Sequence, residues 1–179
     1  MSKRCVPASM PEELRNETLW RAYVPRWAHA PLSGEGAARF GGRWNPVGAA
    51  TIYAARELST AWAEYNQGFV QHPALIAQLT LSKARLADLT SEEGLEAVGQ
   101  SPALHQCEWR ADVDAGKLPE THLLREKLLL QGYHGVIYPS FMSPGGSCVA
   151  LWSWNGEKGP GLSVTDPEHR LPNDAASWL

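Results

Sequence analysis

The sequence has few cysteines and no long apolar run, and each absence argues against a class of protein. Its 179 residues include three cysteines, too few and odd in number for a disulfide scaffold, which favours a reducing cytosol. No segment approaches the roughly 18 consecutive apolar residues of a membrane span, and the first residues lack the apolar core of a signal peptide. We therefore expect a cytoplasmic protein that does not enter a membrane.

Residue patterns that bind metals or nucleotide phosphates are also missing. The six histidines show no metal-ligand spacing, and the cysteines form no zinc-type pair. The sequence contains no GxxxxGK[ST] phosphate loop, no GxGxxG after a strand and no GxSxG elbow. A formal net charge of −3 argues against a protein that coats nucleic acid, although a local basic cleft is compatible with it. We expect no bound metal and no direct binding of nucleic acid.

The most distinctive segment is the glycine-rich stretch 34–48, which contains the run Arg39-Phe40-Gly41-Gly42-Arg43-Trp44-Asn45. Glycine allows positive φ or a close approach to a ligand, and arginine offers a rigid fork of donors for phosphate or carboxylate. A loop that grips a phosphorylated ligand is one interpretation. A Gly-Gly hairpin turn between two solvated arginines is the other, and taken alone it is the better one. Arg39 fits a surface position beside the loop.

Hydrophobic spacing predicts one mixed domain without the regular βαβ alternation of a doubly wound sheet, and hence the α+β class. Strands are predicted at 18–24, 51–54, 75–81, 136–138 and 148–154. Helices are predicted at 60–69, with Ser59 as its cap, and at 119–131. Segment 88–117 is typical of short helical turns and loops. The tail from residue 155 onward is predicted to be mostly loop. Glu64 falls at the edge of the buried stripe of the first helix.

Five residues on these elements could carry chemistry. They are Arg21 on a strand, Arg43 in the glycine segment, Tyr53 on a strand, Glu64 on a helix and Ser140 at a strand end. Taken singly, each is better explained as an ion-pair partner, a packing residue, a solvated helix residue or a turn residue. Their joint order along the chain is what indicates a function.

Residues 18–179 resemble the RES-domain family, the toxin component of RES–Xre toxin–antitoxin pairs. The arginine, glutamate and serine of the family's name match Arg21, Glu64 and Ser140. The run Gly41-Gly42-Arg43-Trp44-Asn45-Pro46, followed by Ile52-Tyr53-Ala54, is similar to the family's most recognisable block. Residues 1–17 match nothing in the family and are interpreted as an N-terminal extension to a single RES domain.

The resemblance implies a fold similar to ADP-ribosyltransferases, with two small β-sheets around an NAD⁺ cleft and flanking helices. It implies NAD⁺ as a substrate rather than a prosthetic group, and cleavage of the nicotinamide–ribose bond with transfer of ADP-ribose to water, phosphate or a protein. It also implies an Xre-like helix-turn-helix antitoxin that covers the cleft. Hydrolysis or phosphorolysis, which depletes NAD⁺, is the preferred reading, and mono-ADP-ribosylation of a host protein is the alternative.

The implied site makes chemical sense for that reaction. Nicotinamide is cationic in NAD⁺ and leaves as a neutral molecule, so the acid that protonates an oxygen leaving group in glycosidases is not required. Glu64 would stabilise the oxocarbenium charge, and Arg21 and Arg43 would hold the pyrophosphate and ribose. Tyr53 would stack on nicotinamide, and Ser140 would orient a ribose hydroxyl or the carboxylate. Gly41 and Gly42 would let the backbone approach the phosphates, while Trp44 and Asn45 shape the loop.

Two other functions fit the sequence less well. A non-catalytic nucleotide-binding module would be expected to have lost part of the set of Arg21, Tyr53, Glu64 and Ser140, which is intact. A nuclease toxin would be expected to have a histidine pair, a metal cluster or a basic surface.

Overall fold

The fold is an α+β domain, described here by a computed structural model for residues 15–68, 71–157 and 159–178. In these residues the strands are β1 Arg15–Tyr23, β2 Ile52–Ala55, β3 Leu75–Ala84, β4 Leu86–Asp88, β5 Gly135–Pro139, β6 Ser147–Leu151 and β7 Gly161–Val164. The α-helices are α1 Glu35–Phe40, α2 Leu58–Asn66, α3 Glu92–Ala97, α4 Trp109–Asp114 and α5 Glu120–Leu130. None of the helices in the described ranges has the length and apolar character needed to cross a bilayer.

The α+β prediction is confirmed, but the strands form one sheet rather than the two that were expected. Its order in the described residues is β4-β5-β6-β2-β1-β3-β7, and β4–β5 is the parallel pair. β1 runs beside β3 along most of its length, whereas it pairs with β2 at Trp20 and Ala55. A bidentate ion pair from Arg56 to Glu17 lies at the same junction. This junction, which we call the seam, joins two halves that would otherwise be separate sheets.

The central strands β5 and β6 are buried on both faces, which explains their continuous apolar runs. Ile137 and Val149 pack into a core with Leu19, Leu79 and Leu151. Their chain neighbours Val136 and Ala150 point to the opposite face, where α5 contributes its buried leucines to a second core that also contains Trp44 and Trp152. Trp44, in the glycine-rich segment, is 1% exposed, so this segment is anchored in the core at one point.

Three elements, α1, β4 and β7, were missed by the sequence prediction, and several boundaries moved. Helix α1 lies inside the glycine-rich segment, and β7 lies in the tail that was predicted to be loop. Helix α2 begins at Leu58, one residue before the predicted Ser59 cap, and Phe69 at its predicted end lies outside the described residues. Of the predicted extension 1–17, residues 1–14 also lie outside the described ranges, and the last three belong to β1.

A histidine on the turn before β5 makes the stability of the fold depend on pH. The Nδ1 atom of His134 accepts a hydrogen bond from the Arg85 backbone N–H at 2.9 Å, so this nitrogen must be unprotonated. Burial, and then the charge of Arg85, lower the pKa of His134. At pH values between this lowered pKa and the unfolded-state pKa of about 6.5, the unfolded chain binds more protons than the folded chain does. The stabilisation is therefore present above about pH 6.5 and is lost as the pH falls through the folded-state pKa.

We expect the melting temperature of His134→Asn to fall less than that of the wild type between pH 7.5 and pH 5. The asparagine Oδ1 can accept the Arg85 N–H bond without titrating. Differential scanning fluorimetry at matched ionic strength measures the difference, and His72→Asn, at an exposed position, is the control that should keep the wild-type slope. Equal slopes for the wild type and His134→Asn would contradict this account.

Candidate active site

A cavity of about 740 Å³ opens over the seam of the sheet. Its floor is formed by Trp20 and Ala22 of β1 and by Ala55 of β2, and helix α2 forms one wall. The other walls are the glycines and arginine at 41–43, the end of β5 with the residues after it, and residues 107–111. The volume lies within the range of small-molecule and cofactor sites.

The carboxylate of Glu64 lies in this cavity and is held by three donors. Its Oε1 atom accepts hydrogen bonds from the hydroxyl of Ser140 at 2.6 Å, from Phe141 N at 3.1 Å and from Met142 N at 3.3 Å. Ser140 is buried, and its Oγ accepts a bond from Ser143 N at 2.9 Å. The turn after β5 therefore fixes the position of the carboxylate, while Oε2 takes part in none of these bonds.

Tyr53 contributes its ring to the cavity, because its hydroxyl is engaged by the loop behind it. The hydroxyl donates to Asn45 Oδ1 at 2.7 Å and accepts from Trp44 N at 2.9 Å. Burial raises the pKa of Tyr53, so the phenol is neutral and does not act as a base. This geometry is compatible with the predicted stacking role and gives the hydroxyl a structural one.

Asn45 organises the glycine-rich loop from its interior. The side chain is fully buried, and Nδ2 donates to the carbonyls of Ala37, Pro46 and Ala49 at 2.9 to 3.0 Å. The sequence interpretation of Asn45 as a loop-shaping residue is thus in agreement with the structure.

The two glycines of the loop are required for different physical reasons. Gly41 has φ of +70°, a conformation that L side chains rarely adopt. Gly42 instead leaves room, because a Cβ atom there would lie 2.6 Å from the Tyr53 hydroxyl and 2.9 Å from Asn45 Oδ1. Both glycines line the cavity. Their contact with phosphates stays a prediction. The structure shows a further role for Gly42, which leaves room for the Tyr53 hydroxyl.

His122 supports this loop from α5 and was not identified from the sequence. It is 3% exposed, and its Nε2 lies 2.8 Å from the carbonyl oxygen of Gly42. Since a carbonyl accepts, Nε2 carries the proton. In the sequence, His122 is a polar residue two positions before Leu124. A polar residue at that spacing is equally typical of the solvated face of a helix, so the contact with Gly42 could not be predicted.

Arg43 lines the cavity and ties the glycine-rich loop to a second segment. Its Nη2 atom donates to the His105 carbonyl at 3.0 Å, and the imidazole of His105 is in turn bonded to the Leu89 carbonyl at 3.0 Å. One donor of the guanidinium is thus used, and the remaining N–H groups are still available to a ligand.

The structure does not bring Arg21 to this cavity. Trp20 and Ala22, its neighbours on β1, face the cavity, and strand alternation turns Arg21 to the other face. Its Nη1 donates to Pro31 O at 2.7 Å and its Nη2 to Ser33 O at 2.9 Å. Burial lowers the pKa of Arg21 to about 10. The structure thus brings together four of the five predicted residues, Glu64, Ser140, Tyr53 and Arg43. Arg21 instead holds the segment that precedes α1.

We expect Arg21→Gln to lower stability before it affects substrate binding. Loss of two charge-assisted bonds to the Pro31 and Ser33 carbonyls should cost about 2 kcal/mol and lower the melting temperature, with little change in the KM for a ligand of the cavity. Thermal unfolding and steady-state kinetics on the same preparation measure both quantities. A raised KM at an unchanged melting temperature would restore the sequence-based role of Arg21 in substrate binding.

The thiol of Cys148 also lines the cavity, but its chemistry is unsuited to nucleophilic attack. Burial, and then the charge of Glu64, raise the pKa of Cys148 to about 12, and the neutral thiol is a poor nucleophile. In the described part of the chain no group of three or more His, Cys, Asp or Glu side chains is arranged to hold a metal ion. The cavity is lined by a fixed carboxylate, aromatic rings and two arginines, Arg43 and Arg110.

Comparison with known proteins identifies a family and a fold. Residues 18–174 match the RES domain. Among solved structures, the chain is similar to one described as the M. tuberculosis MbcT–MbcA toxin–antitoxin complex, with a TM-score of 0.64 and 21% sequence identity. The similarity covers 86% of this chain and 84% of the other, and at this identity it shows a shared fold. A search of curated protein sequences found no match.

Proposed function

The chain belongs to the RES-domain family, and from that premise we propose that it is a toxin that cleaves the nicotinamide–ribose bond of NAD⁺. The observation that carries the proposal is the carboxylate of Glu64, fixed by Ser140 and two backbone N–H groups inside a cavity large enough for a nucleotide ligand. A fixed anion next to a reacting sugar stabilises positive charge that develops on the ribose.

The reaction needs one such carboxylate. As the bond from the ribose C1 atom to the nicotinamide nitrogen breaks, the electron pair goes to nicotinamide, which leaves neutral. Oε2 of Glu64, which is not used by the Ser140 turn, would face the oxocarbenium-like ribose. A water or phosphate oxygen then forms the new bond to C1, and in hydrolysis one proton is released for each NAD⁺ consumed.

The remaining walls suit the other parts of the substrate. Tyr53 offers a ring for nicotinamide, since its hydroxyl is held by Asn45. Arg43 has guanidinium donors left for the pyrophosphate after its bond to His105. Arg21 is given no direct contact with the substrate in this arrangement, because its guanidinium lies on the other face of the sheet.

We also propose an Xre-like antitoxin as the partner that covers the cavity. Phe141 lines the cavity and is 81% exposed, and Phe40 and Val47 flank the glycine loop with 74% and 69% exposure. Exposed apolar side chains at the cavity and beside its glycine loop are available to the apolar surface of a partner. The structural neighbour from M. tuberculosis was solved as a toxin–antitoxin complex, which supports a partner of this kind.

The experiment is incubation of the purified protein with NAD⁺, with and without inorganic phosphate and with and without cell lysate. Chromatography of the products separates three outcomes: free ADP-ribose, ADP-ribose-1″-phosphate, and labelled protein from radioactive NAD⁺. We expect nicotinamide with free ADP-ribose or its phosphate. A labelled protein band would support the alternative mono-ADP-ribosyltransferase. Absence of nicotinamide from every reaction would refute the enzymatic proposal.

A further inference from the structure

The segment 107–111 gives the cavity an aromatic side chain, Trp109, that has no role in the proposed reaction so far. Trp109, the first residue of α4, is partly buried and lines the cavity together with Arg110. The Arg110 guanidinium carbon lies 5.1 Å from the centre of the Trp109 ring, within the range of a cation–π contact. Neither residue belongs to the family motifs quoted above.

The segment that carries Trp109 is held in place rather than free. His105, four residues earlier, is bonded through its backbone carbonyl to Arg43 and through its ring to the Leu89 carbonyl. At the other end, Asp112 N bonds to the Glu108 carbonyl at 3.1 Å and closes the first turn of α4. A fixed aromatic side chain loses little conformational entropy when a flat ligand stacks on it.

The position of Trp109 relative to Arg43 indicates which part of a ligand it meets. Of the other large aromatic residues that line the cavity, Trp20 packs with Ala61 of α2 on the Glu64 side. Tyr53 and Tyr138 both contact the glycine-rich loop, Tyr53 through Asn45 and Tyr138 with its ring 5.4 Å from that of Trp44. Trp109 lies instead on the segment that Arg43 contacts. A ligand with phosphates at Arg43 and a ribose at Glu64 would extend its far end toward α4.

We infer that Trp109 is the stacking platform for the adenine ring of NAD⁺, an inference that rests on the proposed function. In NAD⁺ the pyrophosphate separates the nicotinamide ribose from the adenosine. If the nicotinamide ribose lies at Glu64 and the pyrophosphate at Arg43, the adenine ring lies next to α4. Stacking of a base on an aromatic side chain is tolerant of the base and contributes substantially to affinity. Trp109 thereby acts as a specificity residue that favours NAD⁺ over ligands without adenosine.

The test is binding of ADP-ribose to the full chain by titration calorimetry, which requires no catalysis. Trp109→Ala should raise the Kd about tenfold, and Trp109→Phe, which keeps an aromatic face, should stay within about threefold of the wild type. Trp27→Ala is the matched control, because Trp27 is partly exposed and stacks on His29, and its Kd should equal that of the wild type. Melting temperatures identify any variant that does not fold.

A second measurement separates this inference from the function on which it rests. For catalysis, the preference for NAD⁺ over nicotinamide mononucleotide, measured as a ratio of kcat/KM, should fall about tenfold in Trp109→Ala and recover in Trp109→Phe. An unchanged Kd for ADP-ribose in folded Trp109→Ala overturns the platform even if the wild type releases nicotinamide. The expected Kd pattern in a protein that releases no nicotinamide overturns the enzymatic function and retains the platform. No binding of ADP-ribose to the wild type overturns both.

Discussion

Replacement of Glu64 by glutamine should lower the rate of nicotinamide release from NAD⁺ by roughly 10²- to 10³-fold. Glutamine has nearly the same shape, and its Oε1 can still accept the bonds from Ser140, Phe141 and Met142. The substitution therefore removes the negative charge next to the reacting ribose and little else. The loss should appear in kcat, because the charge on the ribose exists mainly in the transition state.

The measurement is a discontinuous assay of nicotinamide, together with growth of cells that express the variant without an antitoxin. Glu96→Gln is the control, since Glu96 is exposed on α3 and away from the cavity. We expect the control to keep the wild-type rate and the Glu64→Gln melting temperature to stay within a few degrees of the wild type. A Glu64→Gln protein that remains fully active and toxic would show that the mechanism is wrong, whatever the fold.

The second large effect is expected from adding a single methyl group to the glycine loop. In Gly42→Ala the new Cβ would lie 2.6 Å from the hydroxyl of Tyr53 and 2.9 Å from Asn45 Oδ1. The tyrosine must move, and the buried Oδ1 of Asn45 then loses its donor. Overpacking and an unsatisfied buried acceptor each cost about 1 to 3 kcal/mol. We expect a fall in melting temperature and at least a tenfold loss of kcat/KM, because the Tyr53 ring lines the cavity.

Gly36→Ala is the matched control for this prediction. Gly36 is the second residue of α1, and a Cβ there would meet no atom within 4 Å. Alanine favours a helix over glycine by roughly 1 kcal/mol, so this variant should be as stable as the wild type or slightly more stable. Thermal unfolding and kinetics on both alanine variants provide the comparison. Equal behaviour of the two would mean that the contact between Gly42 and Tyr53 has no functional weight.

Local patterns were sufficient for the parts of the fold whose residues face one direction consistently. The alternation in β3 and the helical spacing in α2 and α5 predicted those elements within a few residues. Helix α1 was missed because its sequence lies among glycines, and it ends where Gly41 takes positive φ. Strand β7 was missed because it depends on a distant partner, β3, and on Asn155, whose side chain bonds both the N–H and the carbonyl of Leu162.

The candidate site could be predicted only because the family resemblance identified residues that lie far apart in the sequence. Residue spacing alone does not show that such residues meet. Glu64 and Ser140 are 76 positions apart, and their hydrogen bond confirms that they meet. Strand alternation alone could have placed Arg21 on the face opposite Trp20, but the face that holds the cavity was unknown. The contacts of His122 with Gly42 and of Arg43 with His105 join residues 80 and 62 positions apart. Such contacts follow from the packing of whole elements and not from any local pattern.

The seam between β1 and β2 gives ligand binding a mechanical consequence. The two halves of the sheet meet there through Trp20 with Ala55 and through the Glu17–Arg56 ion pair, and the floor of the cavity spans the same line. A molecule that fills the cavity contacts both halves of the sheet and therefore holds them together while it is bound. Because binding to the folded state alone stabilises it by mass action, local opening of the sheet at this line becomes a function of ligand concentration.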